Sequence, residues 1–149
     1  INLAAVYRPL NNFFINPFME NIRKKYICKI QIKKGITGVK EILSLFNKGY
    51  SLALMIDQRV SEGIRSNFFN KKALTTTIPA QFIKKFNSEV IPVHIERSSG
   101  VNFKIKIFSP IKYAEEDTIE QITDDLNLRI EKMIKINPSQ WIWTHGRWK

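Results

Sequence analysis

The sequence is poor in the residues that build disulfide frameworks and metal clusters. Its 149 residues include one cysteine, Cys28, and two histidines, His94 and His145. A single cysteine excludes an internal disulfide and any metal cluster held by several cysteines, because both need more than one thiol. It also favours a reducing, cytoplasm-facing location, since disulfides mark oxidising compartments.

Long apolar runs are absent as well. No segment approaches the roughly 18 consecutive apolar residues that cross a bilayer, and the first residues lack the pattern of a signal peptide. We therefore expect any membrane attachment to be peripheral, or to lie in sequence outside these residues. The first residue is Ile1 and not Met, so we expect a processed product or part of a longer protein.

Acidic residues are scarce in most of the chain. Overall there are 24 Lys+Arg and 13 Asp+Glu, for a net charge of +11. Up to Tyr113 the balance is 19 Lys+Arg against 6 Asp+Glu, whereas from Ala114 onward it is 5 against 7. A basic surface suits nucleic acid, anionic lipid or an acidic protein, and charge alone does not choose among them. The apolar content of 44% predicts one globular domain with a real core.

The hydrophobic pattern predicts alternating helices and strands. Buried strands are predicted over 3–7, 51–56 and 90–95, and a half-exposed strand over 101–107 that forms a hairpin with the strand before it. Helices are predicted over about 12–26, 38–48, 78–86 and 119–134, and Pro17 indicates that the first is broken or begins near that residue. Residues 57–77 are polar and without a clear period, which indicates a long functional loop. The predicted fold class is therefore α/β, with a mixed, mainly parallel sheet flanked by helices.

Charged residues follow the predicted strands at the points where these end. Arg8 follows the first strand, Asp57, Gln58 and Arg59 follow the second, and Arg97 ends the third. Ligands bind outside the carboxyl ends of the strands in open α/β sheets. A site is therefore predicted there, lined by Arg8, Asp57, Arg59 and Arg97. The alternative is that Asp57 pairs with a neighbouring arginine and only stabilises a loop.

Five stretches of the sequence, in order, resemble the motifs of the bacterial lauroyl/myristoyl acyltransferases that complete lipid A. They are VYRPLNN at 6–12, LMIDQRVSEGI at 54–64, FFNKKA at 68–73 with TTT at 75–77, IPV at 91–93, and PSQWIWTHGRWK at 138–149. Each stretch is weak evidence by itself, but the Asp-Gln-Arg block and the tryptophan-rich tail together are specific. The resemblance implies that residues 1–149 are the C-terminal part of a single glycerolipid-acyltransferase-like domain, incomplete at the N-terminus.

The resemblance also implies an activity. Such enzymes move a fatty acyl chain from acyl carrier protein to a hydroxyacyl chain of a Kdo-bearing lipid A precursor, in lipopolysaccharide biosynthesis. They work at the cytoplasmic face of the inner membrane and need no metal or organic cofactor. The implied partners are acyl carrier protein, the lipid A precursor and the membrane surface, and not nucleic acid.

The general base of the family is a histidine in a His-x-x-x-x-Asp/Glu pattern, and neither histidine here begins one. The fifth residue after His94 is Ser99, and the chain ends four residues after His145. In the family the dyad and an N-terminal membrane anchor lie upstream of the stretch that matches 6–12. We therefore expect both to be absent from these residues, and the chain alone to be inactive.

The resemblance assigns roles to the remaining motif residues. Arg8 supports catalysis by binding a phosphate or the developing oxyanion, and Asp57 and Gln58 hold that arginine or the acceptor. The residues that face the lipid head group or the phosphopantetheine are Arg59, Lys72 and Arg97. A solvated face is the alternative for the lysine, and core packing is the alternative to a headgroup position for the tail tryptophans. The competing functions are an inactive remnant and a basic module that binds nucleic acid or anionic lipid without catalysis.

Overall fold

The computed structural model describes residues 1–148, without the side chains of Ile36 and Thr37. Lys149, the last residue of the tail motif, lies outside the described residues. The chain divides into two units, Ile1–Met55 and Ile56–Lys149. Both contain helices and strands, which confirms the predicted α/β class. None of the described helices is long and apolar enough to cross a bilayer.

The first unit is a parallel three-stranded sheet with two crossover helices. Its elements are β1 (Leu3–Tyr7), α1 (Asn16–Tyr26), β2 (Ile30–Lys33), α2 (Ile36–Asn47) and β3 (Ser51–Ala53). The strand order is β2-β1-β3, and both pairings are parallel. Parallel neighbours need a crossover connection, and the two helices supply it. Ala4, Ile32 and Ile42 are buried here. The predicted strand over 3–7 and the two predicted helices are confirmed, whereas β3 ends at Ala53 and not at residue 56, and β2 was not predicted.

The second unit contains two antiparallel hairpins and two helices. Its elements are β4 (Ile64–Phe68), β5 (Lys71–Thr75), α3 (Ile78–Phe86), β6 (Val93–Ser99), β7 (Asn102–Ile107) and α4 (Ile119–Ile136), followed by 3-10 turns at Pro138–Gln140 and Trp143–His145. β4 pairs with β5 and β6 pairs with β7. The predicted helices over 78–86 and 119–134 and the predicted hairpin are confirmed.

The prediction of a long loop over 57–77 is wrong, because the β4–β5 hairpin occupies much of it. Its turn residues Phe69 and Asn70 have φ values of 50° and 59°, which is the backbone of a tight two-residue hairpin turn. Phenylalanine is rare in that conformation, so the turn signal is weak in the sequence. The inward positions include the hydroxyl residues Ser66 and Thr75, so the usual apolar alternation is interrupted.

The prediction of a buried strand over 90–95 is also wrong in its bounds and burial. β6 begins at Val93, one residue after Pro92, which has no N–H to donate to a ladder. Val90 instead forms an isolated bridge with Ile111. Val93 and Ile95 are 50% and 58% exposed, so this strand carries an apolar face that is open to solvent.

α4 organises the core of the second unit. Thr118 caps its N-terminus through a capping box with Gln121, which satisfies two backbone N–H groups. One part of its buried face packs on α3, in a cluster of Ala80, Ile83, Ile122 and Leu126. Further along, Ile134 packs on the β4–β5 hairpin with Phe68 and Ala73. The helix therefore spans both halves of the core of this unit.

Candidate functional site

Arg8 lies one residue beyond β1, on a short loop that leads into α1. The loop is held by two asparagines: Asn16 Oδ1 accepts a hydrogen bond of 2.8 Å from the N–H of Leu10, and Asn12 Oδ1 accepts two more from backbone N–H groups at 3.0 and 3.2 Å. Arg8 itself is exposed. Within the described part of residues 1–55, its guanidinium has no hydrogen bond or ion pair.

A carboxylate on α1 braces the residue before Arg8. Glu20 Oε1 accepts hydrogen bonds from the Tyr7 hydroxyl at 2.6 Å and from Asn16 Nδ2 at 2.8 Å, and Lys33 Nζ lies 3.5 Å away. The hydrogen bond from Tyr7, and to a smaller extent the one from Asn16, holds the pKa of Glu20 below its usual value. Burial and the hydrogen bond to Glu20 raise the pKa of Tyr7 to about 12. Glu20 therefore stays ionised and fixes the end of β1.

These bracing residues were missed by the sequence analysis. Asn16 and Glu20 are four residues apart on α1, which places them on the same side of the helix. That spacing is the one signal that pointed to them, and it is too common to single out a site. Their contact with Tyr7 depends on how α1 packs beside the sheet.

Asp57 lies at the start of the second unit and is held by the C-terminal tail. The indole Nε1–H of Trp141 donates a 3.0 Å hydrogen bond to Asp57 Oδ2. Burial lowers the pKa of Arg147 more than the Asp57 charge raises it. The Asp57 carboxylate therefore contacts the tail through Trp141, and its charge also acts on Arg147. This contact joins two of the motifs, the Asp-Gln-Arg block and the tail.

Arg147 fixes the tail against the β4–β5 hairpin. It is 1% exposed, and its Nη1 donates to the carbonyl oxygen of Leu74 while Nη2 donates to Thr75 Oγ1 at 2.8 Å. Its guanidinium carbon lies 5.2 Å from the centre of the Phe68 ring. The indole of Trp148 donates to the carbonyl oxygen of Phe68 at 2.9 Å. Arg147 and Trp148, at this end of the tail, therefore pack against the core of the second unit.

A buried polar network joins the same hairpin to α4. Asn127 is 0% exposed, and its Nδ2 lies 2.7 Å from Ser66 Oγ, 3.0 Å from the carbonyl oxygen of Asn67 and 3.1 Å from Thr75 Oγ1. Ser66 donates in turn to Asp124 Oδ1. Buried polar groups are costly unless they are paired, so this network specifies how the hairpin seats on the helix. It was not predicted from the sequence.

The sequence predicted Arg97 at the carboxyl end of a parallel strand. In the structure it lies within β6, whose partner β7 is antiparallel. Its Nη1 donates to the carbonyl oxygen of Gly100 at 3.2 Å, and its guanidinium carbon is 4.9 Å from the centre of the Phe103 ring. The backbone N–H and carbonyl of Arg97 each form a 2.8 Å hydrogen bond with the Gln140 side chain. Ile95, Arg97, Phe103 and Gln140 line an open surface depression of about 390 Å³.

The tail therefore contacts two of the predicted site regions through neighbouring residues. Gln140 is hydrogen-bonded to Arg97 and Trp141 to Asp57, which brings these two regions of the second unit together. Gln58, Arg59 and Lys72 are exposed. The shared pocket of Arg8 with Asp57 joins residues of different units, and it stays a prediction.

The family comparison covers all of these motifs. A family model described as bacterial lipid A biosynthesis acyltransferase matches residues 2–149. A search among curated proteins found no match.

Proposed function

The chain belongs to the bacterial lipid A biosynthesis acyltransferase family, and from this premise we propose the donor and the acceptor. The donor is a fatty acyl chain on acyl carrier protein, and the acceptor is a hydroxyl of a hydroxyacyl chain on a Kdo-bearing lipid A precursor. Transfer takes place at the cytoplasmic face of the inner membrane. The ester forms as the hydroxyl oxygen attacks the thioester carbonyl, the hydroxyl proton is taken by a base, and the carrier thiol leaves.

The observation that carries the proposal is the state of Arg8. A loop tied by Asn12 and Asn16 presents its guanidinium to solvent, without a partner among the described residues of its unit. A guanidinium is permanently charged and binds phosphate or an oxyanion through two parallel hydrogen bonds. An arginine held ready in this way suits an anionic substrate or the negative charge that develops on the thioester oxygen.

The basic residues of the second unit support an anionic acceptor. Arg59 and Lys72 are exposed, and Arg97 keeps an exposed guanidinium beside Phe103. Each basic residue near an anionic surface is worth about 1 kcal/mol. Several together suit the phosphates and acidic sugars of the precursor, and also an acidic carrier protein. Asp57 and Gln58 then hold the acceptor in register.

Neither histidine of the sequence suits the role of general base. His94 is half-buried within β6, His145 is exposed in the tail, and neither begins the His-x-x-x-x-Asp/Glu pattern. In this proposal the dyad comes from sequence other than these 149 residues. The chain by itself then binds its substrates and does not transfer the acyl group.

Acyl transfer from acyl carrier protein to a Kdo-bearing lipid A precursor tests the proposal. We expect no transfer by the 149 residues alone, and transfer after they are joined to a segment that carries the dyad. In the joined protein, Arg8→Ala should lower the rate by about 100-fold or more, the usual effect of losing an oxyanion donor. Lys48→Ala is the matched control, because it removes one exposed positive charge from the same unit. Transfer by the isolated chain would show that a base is present, and a normal rate for Arg8→Ala would remove Arg8 from the site.

A further inference from the structure

The turn before α1 and the first turn of that helix expose a cluster of large apolar side chains. Phe13, Phe14 and Phe18 are 83%, 88% and 65% exposed, and Leu10 and Ile15 are exposed beside them in the sequence. These five residues are called the phenylalanine surface below. Single exposed apolar residues are ordinary on soluble proteins, whereas a contiguous group marks an interaction site. None of the eleven described residues of α1 is buried.

Two exposed lysines lie near the C-terminal end of α1: Lys25 is on the same side of the helix as Phe18, and Lys24 is about a third of a turn away from that side. Lys25 follows Phe18 by seven residues, which is close to two helical turns and about 10 Å along the axis. Lys24 follows Pro17 by the same spacing, and all four residues are exposed. The opposite side of the helix carries half-buried residues such as Glu20. α1 therefore presents an apolar end and a basic end on one outward face.

The charge of the first unit adds to this pattern. Residues 1–55 contain nine Lys+Arg and two acidic residues, Glu20 and Glu41. Glu20 is already engaged by the Tyr7 hydroxyl and by Lys33, so little negative charge is left to repel an anionic partner. This unit therefore carries a large excess of positive charge as well as the exposed apolar cluster.

We propose that the phenylalanine surface, with Lys24 and Lys25, docks on an anionic lipid bilayer. The phenyl rings enter the boundary between head groups and acyl chains, and the lysines reach the lipid phosphates along their flexible stems. The inference rests on the proposed function, which requires a lipid substrate, and it names the surface that meets the bilayer. Docking at this place also holds Arg8, five residues before Phe13, near the layer of lipid phosphates.

The β6–β7 hairpin is the rival surface, because it also exposes apolar side chains. Val93, Ile95, Phe103, Ile105 and Ile107 are at least half exposed and share one face by strand alternation. Its lysines, Lys104 and Lys106, alternate with these residues and so lie on the other face. A bilayer against the apolar face of the hairpin would not meet these lysines. Arg97 shares that face, but its guanidinium is engaged by the Gly100 carbonyl and the Phe103 ring.

Co-sedimentation of the 149-residue chain with vesicles tests the proposal. We expect binding to vesicles of phosphatidylethanolamine and phosphatidylglycerol, and much weaker binding to phosphatidylcholine alone. The double variant Phe13→Ser, Phe14→Ser should weaken binding to the anionic vesicles by more than about tenfold, because it removes the inserting rings. Lys24→Gln with Lys25→Gln should weaken it severalfold and reduce its salt dependence.

Two matched variants on the hairpin provide the controls. Ile105→Ser with Ile107→Ser, and Lys104→Gln with Lys106→Gln, remove exposed apolar and basic side chains elsewhere and should change binding little. All of these side chains are exposed, and circular dichroism verifies that each variant is folded. The proposal is overturned if the hairpin variants abolish vesicle binding and the variants at Phe13 and Phe14 and at Lys24 and Lys25, called the α1 variants, do not. It is equally overturned if the α1 variants lose affinity for acyl carrier protein and keep it for vesicles.

Vesicle binding needs no acyl transfer, so the two proposals fail separately. If the joined protein transfers the acyl group normally and its Phe13→Ser, Phe14→Ser variant still binds vesicles, only the docking proposal is overturned. Vesicle binding through α1, with no transfer by the joined protein, would overturn the proposed function alone.

Discussion

At the scale of single residues, the contact between Asp57 and Trp141 links two motifs that are 84 residues apart. The Asp57 carboxylate is half-buried, and an indole N–H is a fixed donor that orients one of its oxygens. The same ring packs against Phe68, with 5.8 Å between the ring centres. Trp141 therefore anchors the tail and positions the carboxylate at the same time.

Replacing Trp141 by phenylalanine separates these two roles. The ring contact with Phe68 is kept and the donor to Asp57 is lost, so we expect a stability loss of about 1 kcal/mol and, in the joined protein, transfer about tenfold slower. Trp143→Phe is the control, because its indole donates instead to the carbonyl oxygen of Pro138 at 2.7 Å. Urea unfolding and the transfer assay give the two readouts. Equal losses of transfer in both variants would argue against a positioning role for Trp141.

At the scale of elements, α4 and the β4–β5 hairpin depend on each other. The hairpin turn donates the Phe69 N–H to Glu131 Oε1 at 2.7 Å, and the Asn127 amide reaches both strands. A two-stranded hairpin is marginally stable alone, so these contacts and the packing of Phe68 hold it in place. The helix was predictable from its apolar period, whereas the hairpin was not, because hydroxyl residues occupy its inward positions.

Asn127→Ala tests this dependence. The change removes the donor shared by the buried Ser66 and Thr75 hydroxyls and the Asn67 carbonyl. Ser66 and Thr75 keep their contacts with Asp124 and Arg147, so we expect a loss of about 1–2 kcal/mol in unfolding free energy. Leu128→Ala is the matched control on the same helix, since Leu128 is 46% exposed. Urea denaturation monitored by tryptophan fluorescence measures both. A loss below about 0.5 kcal/mol for Asn127→Ala would show that the network does not hold the hairpin.

At the scale of the whole molecule, the charge of +11 is the dominant feature. Basic proteins bind nucleic acid weakly through phosphates, and salt removes this binding because it depends on counterion release. The same charge draws the molecule to an anionic bilayer. Selectivity therefore distinguishes the two partners better than affinity does.

We expect the chain to bind two unrelated DNA duplexes with the same affinity, and this affinity to fall by orders of magnitude between about 50 and 200 mM salt. Fluorescence anisotropy with labelled duplexes measures both quantities, and vesicle sedimentation at the higher salt provides the comparison. Strong preference for one duplex at physiological salt, together with no binding to anionic vesicles, would favour the nucleic-acid module and contradict the acyltransferase proposal.

The sequence by itself determined the α/β class, the helices on apolar periods, and the family through its ordered motifs. These are local properties, because a helix or a motif depends on residues that are close together in the sequence. Only the tertiary structure decided that Trp141 donates to Asp57, that Arg147 is buried against Thr75, and that Glu20 braces Tyr7. Such contacts join residues that are far apart in the chain, and they depend on backbone geometry that leaves no periodic trace in the sequence.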